Sequence, residues 1–370
     1  MKILAIGGGS MGRRRLRDLT HLNRGEVILF EPNRERCEQV AAGFGVRGFH
    51  DLESAWAQKP DVLTISSPPT QHEPYVRRAV EHKLHVFAEV PFVMDEALLS
   101  EVAGSAKTYP GVIGVSAAPR YYPPFRLIHD LLQQGRIGRP LYFELSLGNY
   151  LPDWHPYEDY RNFYGGDQAQ GGAGMDMLLH DMNPIEWWMG KVQSVFARLT
   201  KLGSLDIKGP DNHDILLTFA SGCRGYFHND VIEQGTNGRH VRIAGEEGTI
   251  EWHQNQPWVR WFDGREKRAQ QLPFDQAADW DQALAASRQA AELLARQKVR
   301  SGSIPTEGTA AQFTYDSCYL REMQHFLEAV EGQHAYTAAT PADELHCLQV
   351  FNAILRSDKL SREVNVEAGG

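Results

Sequence analysis

The chain begins with Met1-Lys-Ile-Leu-Ala-Ile-Gly-Gly-Gly-Ser-Met-Gly12, a short apolar run followed by glycines at positions 7, 9 and 12. This is the G-x-G-x-x-G spacing directly after a strand-like segment, and helix-forming residues follow it. Gly7 permits a tight turn, Gly9 lets backbone approach a pyrophosphate, and Gly12 lets the helix pack closely on the strand. The helix would offer its first N–H groups, around Ser10 and Met11, to the phosphates. The stretch therefore predicts a dinucleotide-binding unit.

A second apolar run, 27–30, ends in an acidic residue at the expected distance from the glycines. Glu31 lies about 20 residues beyond the last glycine, where an acid that binds the adenosine ribose is expected. Its carboxylate would accept hydrogen bonds from the ribose hydroxyls and repel a 2′-phosphate, so we expect NAD rather than NADP. Arg34 and Arg36 follow closely and could hold a 2′-phosphate, which keeps NADP as the alternative.

The composition is that of an ordinary globular protein. A chain of 370 residues, 42% apolar and 23% charged, is typical of about two domains. The net charge of −9 argues against a nucleic-acid partner, because no basic stripe balances it. Apolar runs are too short to span a bilayer, and the N-terminus does not resemble a signal peptide. The four scattered cysteines indicate reduced thiols, so we expect a cytoplasmic protein without a membrane partner.

The first 120 residues alternate strand-like and helix-like segments, which predicts a doubly wound parallel α/β sheet, a Rossmann domain. Ligands bind such a sheet beyond the carboxyl ends of its strands. Two loops, 66–72 and 89–91, follow predicted strands at 61–66 and 85–88 and so emerge at the same edge as the glycine loop. We therefore predict further cofactor-binding residues in them: Ser67, Pro68, His72, Glu89 and Pro91.

Beyond residue 120 strand signals recur without intervening helices. This predicts a second domain, 121–370, of the α+β class with an open, mostly antiparallel sheet for substrate binding and oligomerisation. Its predicted strands are 140–148, 192–202, 212–220, 223–232, 238–245 and 247–252, and the helices that close the chain are 279–298, 314–331 and 341–356.

A polar pair interrupts the strongly apolar segment 171–190. Asp176 and His180 are four residues apart, so on a helix they share one face. A carboxylate beside an imidazole orients the ring and raises its proton affinity, which suits general acid/base work on a hydroxyl or carbonyl. An ordinary polar helix face is the alternative interpretation.

Together these motifs resemble the Gfo/Idh/MocA oxidoreductase family, which includes glucose–fructose oxidoreductase and inositol dehydrogenase. The resemblance rests on the glycine loop, the loops 68–72 and 89–91, and the segments 120–123, 135–138, 171–180 and 245–250. It implies a Rossmann domain followed by an open-sheet domain, bound NAD(P), and a sugar or polyol substrate. It also implies homodimers or homotetramers, assigns Arg120 to substrate binding, and predicts no metal site.

One residue departs from the family pattern. The family loop normally reads Glu-Lys-Pro, and its lysine helps to shuttle the substrate hydroxyl proton, whereas this chain has Val90. Our hypothesis is that His180 carries the acid/base role with Asp176 in support. The alternatives are that dehydrogenase activity is lost, or that a tyrosine substitutes: Tyr121, Tyr160 or Tyr164.

The loop 150–170 is rich in aromatic residues. Trp154 and Tyr160 offer flat faces to a sugar ring, and Arg161 offers a fork to a carboxylate or phosphate. The block 154–161 looks like that of family members linked to sialic- or legionaminic-type sugars and nucleotide-activated amino sugars, which suggests an anionic sugar derivative. A loop that only packs on the second domain is the other interpretation.

The combined prediction is an NAD-dependent oxidoreductase that transfers a hydride between nicotinamide and a carbon of a sugar, sugar acid or nucleotide sugar, with His180 as acid/base. Two alternatives stay open. One is a redox-assisted glycosidase or lyase that restores its NAD in every cycle. The other is a dinucleotide-binding protein without turnover, for which Val90 is the main argument.

Overall fold

The computed structural model describes residues 1–153, 159–162, 164–167, 172–234, 238–254, 256–273 and 310–366. Trp154 and the predicted helix 279–298 lie outside these residues. The chain divides into two compact units. Of the described residues, the first unit holds 1–121 and 312–345, and the second holds those from 122 to 273 with 310–311 and 346–366.

The first unit is built on a parallel sheet. In the described part of the chain its six strands are β1 (Lys2–Ile6), β2 (Glu26–Phe30), β3 (Arg47–Phe49), β4 (Val62–Ile65), β5 (His85–Ala88) and β6 (Ile113–Val115). The strand order is β3-β2-β1-β4-β5-β6, and every pairing is parallel. The predicted doubly wound parallel sheet is therefore confirmed. Its central strands are continuous apolar runs because helices cover both faces of such a sheet.

Helices connect these strands: α1 (Ser10–Leu22), α2 (Arg34–Phe44), α3 (Leu52–Trp56), α4 (His72–Glu81) and α5 (Glu96–Ser105). The strand order reverses at β1, with β2 on one side and β4 on the other. The loops that follow β1, β4 and β5 leave the same edge of the sheet, and the crevice at this reversal is where such sheets bind ligands.

A late segment of the chain completes the core of the first unit. Helix α8 (Ala310–Val330) carries Met323, Phe326 and Leu327, each with no exposed surface, into the same apolar cluster as Ile3 of β1 and Leu16 of α1. The predicted second domain, 121–370, thus differs from the observed second unit. Residues 312–345 group with the first unit because their apolar face is buried there.

The second unit is built on a larger mixed sheet. Its nine strands among the described residues are β7 (Pro140–Gly148), β8 (Val192–Thr200), β9 (Asn212–Phe219), β10 (Arg224–Asp230), β11 (Gly238–Gly245), β12 (Gly248–His253), β13 (Trp258–Asp263), β14 (Arg268–Pro273) and β15 (Val364–Asn365). The order is β14-β13-β12-β11-β7-β10-β9-β8-β15, and only the β7–β10 pair of these strands is parallel. The predicted open, mostly antiparallel sheet is confirmed.

Three further helices are α6 (Pro123–Gln133), α7 (Gly172–Met189) and α9 (Pro341–Leu360). Within the second unit, Trp188 of α7 donates its indole N–H to the Phe125 carbonyl oxygen of α6 at 3.0 Å. Buried residues such as Leu178 and Ile185 form the apolar side of α7. Among the helices of the described chain, none is both long and apolar enough to cross a bilayer.

Candidate functional site

The glycine loop after β1 has the geometry that its spacing predicts. Gly7 adopts φ +97°, and a Cβ there would lie 2.7 Å from the Ser66 carbonyl oxygen. A Cβ on Gly12 would overlap the carbonyl oxygen of Gly7, so helix and loop approach more closely than any side chain permits. At Gly9, in contrast, a Cβ would meet no described atom within 4 Å. Two of the glycines are thus required by the protein itself, while Gly9 borders open space suited to a phosphate group.

The first turn of α1 follows this open space directly. The helix begins at Ser10 with Gly9 as its N-cap, and none of the described side chains caps it. Its first N–H groups have no partner within the helix, and its dipole favours negative charge at this end. Ser10, Met11 and Gly12 can therefore donate backbone hydrogen bonds to a pyrophosphate.

Glu31 lies beside the glycine loop at the end of β2 and is only 5% exposed. Its Oε2 accepts a hydrogen bond from the Gly8 N–H at 2.9 Å, and its Oε1 accepts one from the Asn33 N–H, also at 2.9 Å. The Arg36 guanidinium lies 3.3 Å from Oε1. The carboxylate is thus oriented before any ligand binds, as a ribose-binding acid requires, and the nearby arginine already contacts it.

His72 joins the two loops that follow β4 and β5. Its fully buried ring places Nε2 2.8 Å from the Ser67 carbonyl oxygen and Nδ1 2.9 Å from that of Pro91. Burial lowers the pKa of His72, although these two carbonyl groups act in the opposite direction. His72 was predicted to bind the cofactor. In the structure both of its ring nitrogens face protein carbonyl groups, so the ring links the two loops to each other. Nearby, Ser67 Oγ is buried without a hydrogen-bond partner among the described residues, which fits a bound cofactor as its partner.

Glu89 is held by a buried cation. Both of its oxygens accept from the Arg15 guanidinium, at 2.5 and 3.2 Å, and Arg15 also donates to Glu322 Oε2 at 2.7 Å. Arg15 and Glu322 have no exposed surface. Sequence analysis missed this cluster because the residues are distant in sequence. Its consequence is a rigid start to the loop 89–91, in which Val90 is 5% exposed and the Pro91 carbonyl oxygen lies 2.9 Å from His72 Nδ1.

The Asp176–His180 pair lies on α7 of the second unit. His180 Nε2 is 3.7 Å from Asp176 Oδ1, and each side chain is a little more than a fifth exposed. Tyr164 hydrogen-bonds to Asp176, and burial, reinforced by that carboxylate, raises the pKa of Tyr164 well above its usual value. Tyr164 thus stays a phenol that donates to Asp176, which does not suit it to the role of a substitute base.

The helix that carries this pair is fixed to the sheet by the next residue. Asp181 has no exposed surface, and its Oδ1 and Oδ2 accept from the Arg239 guanidinium of β11 at 2.8 and 3.4 Å. Four residues after His180, Pro184 has no N–H to donate to the His180 carbonyl, yet α7 continues through it to Met189. The sequence did not reveal the partner of Asp181, because Arg239 lies 58 residues further along the chain.

The remaining predicted substrate-binding residues within the described chain belong to both units and are described unit by unit. In the second unit, Tyr160 accepts a hydrogen bond from the Asp206 N–H at 3.2 Å, and the exposed Arg161 pairs with Asp159. In the first unit, Arg120 belongs to a short 3₁₀ turn, and the hydroxyl of its neighbour Tyr121 lies 2.5 Å from His325 Nδ1.

Comparisons with known proteins agree with this architecture. Residues 1–117 match the family model described as "Oxidoreductase family, NAD-binding Rossmann fold". Residues 125–251 match the model of the GFO/IDH/MocA C-terminal domain. Together the two models cover most of both units.

Individual relatives are distant. The uncharacterized oxidoreductase YrbE of Bacillus subtilis (strain 168) is 27% identical over 203 residues, 53% of this chain and 56% of that protein, so the chain spans about half of its length. The inositol 2-dehydrogenase of Acidothermus cellulolyticus is 28% identical over 287 residues, 72% of this chain and 77% of that protein.

Among solved structures, a levoglucosan dehydrogenase in complex with NADH superposes with a TM-score of 0.79. The alignment covers 100% of both chains at 18% identity, a likeness that shows the fold. The glycine loop, the strand order of both sheets and the two matched domain models agree. This chain therefore belongs to the Gfo/Idh/MocA family of NAD-binding oxidoreductases.

Proposed function

We propose that this protein is an NAD-dependent dehydrogenase that acts on a CH–OH carbon of a sugar derivative, with His180 as the general acid/base. The pairing of Asp176 and His180 at 3.7 Å on one helix face is the observation that carries the proposal. In the oxidation direction the imidazole takes the hydroxyl proton of the substrate, and the C–H bond electrons leave with the hydride. When bound, NAD supplies the hydride acceptor.

Asp176 and Tyr164 support the imidazole in this role. The Asp176 carboxylate lies beside Nε2 and stabilises the imidazolium formed when the substrate proton arrives. Tyr164 donates to Asp176 and so restrains the carboxylate. The predicted chain of contacts is phenol to carboxylate to imidazole to substrate hydroxyl.

Val90 supports this role for His180, because it stands where the family has a lysine. A valine side chain holds no exchangeable proton, and Val90 is almost fully buried. Proton transfer to or from a substrate must then come from another group. The imidazole of His180 can accept or donate a proton at its ring nitrogens, whereas the raised pKa of Tyr164 disfavours that phenol as a base.

The cofactor that we propose is NAD rather than NADP. Glu31 is already oriented by Gly8 and Asn33, and it would repel a 2′-phosphate. The residues that would hold the dinucleotide are Gly7, Gly9, Ser10, Met11, Gly12, Glu31, Ser67, Pro68 and Pro91, with His72 and Glu89 fixing the loops.

We further propose a sugar, sugar-acid or nucleotide-sugar substrate. Two of the similar proteins are named as an inositol 2-dehydrogenase and a levoglucosan dehydrogenase, both of which are named for polyhydroxylated substrates. Arg120, Tyr160 and Arg161 are the proposed substrate contacts, and an arginine favours an anionic group. Cytoplasmic location and homo-oligomeric assembly stay predictions from the sequence.

The test combines a substrate panel with one variant. Polyols, free sugars, sugar acids and nucleotide-activated sugars are offered with NAD, and NADH formation is followed by absorbance. For the best substrate, His180→Ala should lower kcat by about 100- to 10,000-fold while NAD affinity stays unchanged. His334→Ala, which replaces a histidine paired with Glu328 in the first unit, is the matched control.

Two outcomes would replace the proposal. Full turnover by His180→Ala would remove the imidazole from the chemistry. Release of a product from a glycoside without net NADH formation would instead indicate the redox-assisted glycosidase or lyase.

A further inference from the structure

Three side chains that commonly bind metals share the outer face of the second sheet. In the register of β11 and β12, His240 lies opposite His253, and Glu251 is two residues before His253. Side chains two apart on a strand point to the same face. The intervening Val241 and Trp252 have no exposed surface and belong to the core on the other face. His240, Glu251 and His253 therefore project together from the side opposite the core.

Their ligand atoms are close to the spacing of a metal site. Glu251 Oε1 lies 3.6 Å from His240 Nε2 and 3.7 Å from His253 Nε2, and the three ligand atoms lie within 4.8 Å of one another. Tetrahedral zinc with bonds of about 2.1 Å separates its ligand atoms by about 3.4 Å. A contraction of a few tenths of an ångström would bring both nitrogens to that distance from the carboxylate.

The observed distances are those of ion pairs rather than of direct hydrogen bonds. Both exceed the range of a charge-assisted N–H···O bond. In addition, His240 Nε2 is buried and has no hydrogen-bond partner among the described residues, a costly state for a polar atom. The nitrogen that would face the ion thus has the Glu251 carboxylate nearby at 3.6 Å but makes no hydrogen bond to the described residues.

The carboxylate is oriented from outside the triad. Glu251 Oε2 accepts from Arg260 Nη1 of β13 at 3.1 Å, while Oε1 stays on the side of the imidazoles. Such outer contacts typically fix metal-binding carboxylates. The two rings are stacked, with centroids 4.0 Å apart and planes 8° from parallel, so each ring must turn to aim its lone pair at one ion.

We propose that His240, Glu251 and His253 form a binding site for a divalent transition-metal ion, with Zn²⁺ as the best match. Two imidazole nitrogens and one carboxylate oxygen are typical zinc ligands, and water would occupy the fourth position. Mg²⁺ and Ca²⁺ prefer sites made only of oxygen ligands and should not compete. The site is independent of the dehydrogenase activity proposed above.

Zinc binding to the full-length protein tests the site directly. Isothermal titration calorimetry should detect one Zn²⁺ per chain with a Kd of about 1 µM or tighter. His240→Ala and His253→Ala should each raise that Kd by at least about 100-fold. His228→Gln is the matched control, because His228 lies on the same sheet face but its two nitrogens contact Asp214 and Asp230. It should bind zinc like the natural chain.

Two further readouts separate loss of the site from loss of the fold. Excess Zn²⁺ should raise the Tm of the natural chain, and Glu251→Gln, which keeps the shape of the side chain, should abolish most of that rise. Co²⁺ should give the intense visible absorption of a tetrahedral site. No zinc uptake at millimolar concentration would overturn the proposal, and so would uptake that is unchanged in both histidine variants.

Discussion

Gly9 allows the dinucleotide site to be tested without disturbing the fold. Its backbone, at φ −73° and ψ −165°, is extended and open to any residue. A Cβ there would meet no described atom within 4 Å. The same change at Gly7 would combine a φ of +97° with a Cβ 2.7 Å from a carbonyl oxygen, which confounds binding with folding. The Gly9→Ala variant should therefore fold normally and lose only its affinity for the cofactor.

The expected size follows from the position of Gly9 at the start of α1. A methyl group in the open space keeps a pyrophosphate from the first N–H groups of the helix. Losing one hydrogen bond to a charged phosphate costs about 1.5–3 kcal/mol. The Kd for NAD should therefore rise by about 10- to 100-fold, since each 1.4 kcal/mol is about tenfold. The free energy of unfolding of the protein without NAD should rise by less than about 1 kcal/mol.

Two measurements check this expectation. Calorimetry gives the Kd for NAD, and urea unfolding gives the stability of the protein without cofactor. Gly104→Ala, at an exposed glycine of α5 where a Cβ also meets open space, serves as the matched control and should leave the Kd unchanged. Gly9→Ala with natural affinity for NAD would refute the approach of a pyrophosphate to this backbone.

Three other predictions concern the second unit and the buried histidines. Asp181→Asn should lower the free energy of unfolding by about 3 kcal/mol in urea titrations, because it removes the buried negative charge that Arg239 pairs with, whereas Asp159→Asn at an exposed pair should leave the stability nearly unchanged. Tyr164→Phe should reduce kcat and shift the pH profile of kcat, since Asp176 loses a donor, while the KM for NAD stays constant; an unchanged profile would separate Tyr164 from the chemistry. Burial lowers the pKa values of His72 and His213 below those of the unfolded chain, so the unfolded state binds more protons below about pH 6.5 and stability should fall from pH 7 to pH 5. His213→Gln should make this fall shallower in urea unfolding at the two pH values, and a steeper fall would contradict the assignment.

Sequence patterns predicted the first unit well because its signals are local. Each buried strand is a short apolar run between turn residues, and the predicted strands 61–66 and 85–88 agree with the observed Val62–Ile65 and His85–Ala88 to within a residue. The short strand Arg47–Phe49 escaped prediction because one apolar side chain in three residues gives no period.

Strand β14 of the second unit escaped prediction for a different reason. Half of the residues of strand β14, Arg268–Pro273, are polar, and the strand forms because β13 offers it backbone hydrogen-bonding groups. An edge strand of this kind depends on its neighbour rather than on its own side chains. The sequence also could not predict that residues 312–345 belong to the first unit, because an apolar helix face does not indicate which core buries it.

Residue type predicted which side chains follow the strands at the candidate site. It did not predict which contacts each of those side chains makes. His72 stood at a predicted cofactor position, yet its ring is occupied by the carbonyl groups of Ser67 and Pro91. The Glu89 carboxylate likewise forms an ion pair with Arg15. Both roles depend on contacts between segments far apart in sequence, and the sequence shows only that a polar side chain follows a strand.

These contacts also bear on the valine that replaces the family lysine. The loop around Val90 keeps its supports, because Arg15 holds Glu89 on one side and His72 holds Pro91 on the other. The replacement therefore removes an exchangeable proton without removing the structure that would have positioned it. On the other side of the proposed chemistry, Tyr164 hydrogen-bonds to Asp176, and that carboxylate lies beside His180. The phenol of Tyr164, together with the carboxylate and imidazole on α7, is therefore consistent with the proposed proton role of His180.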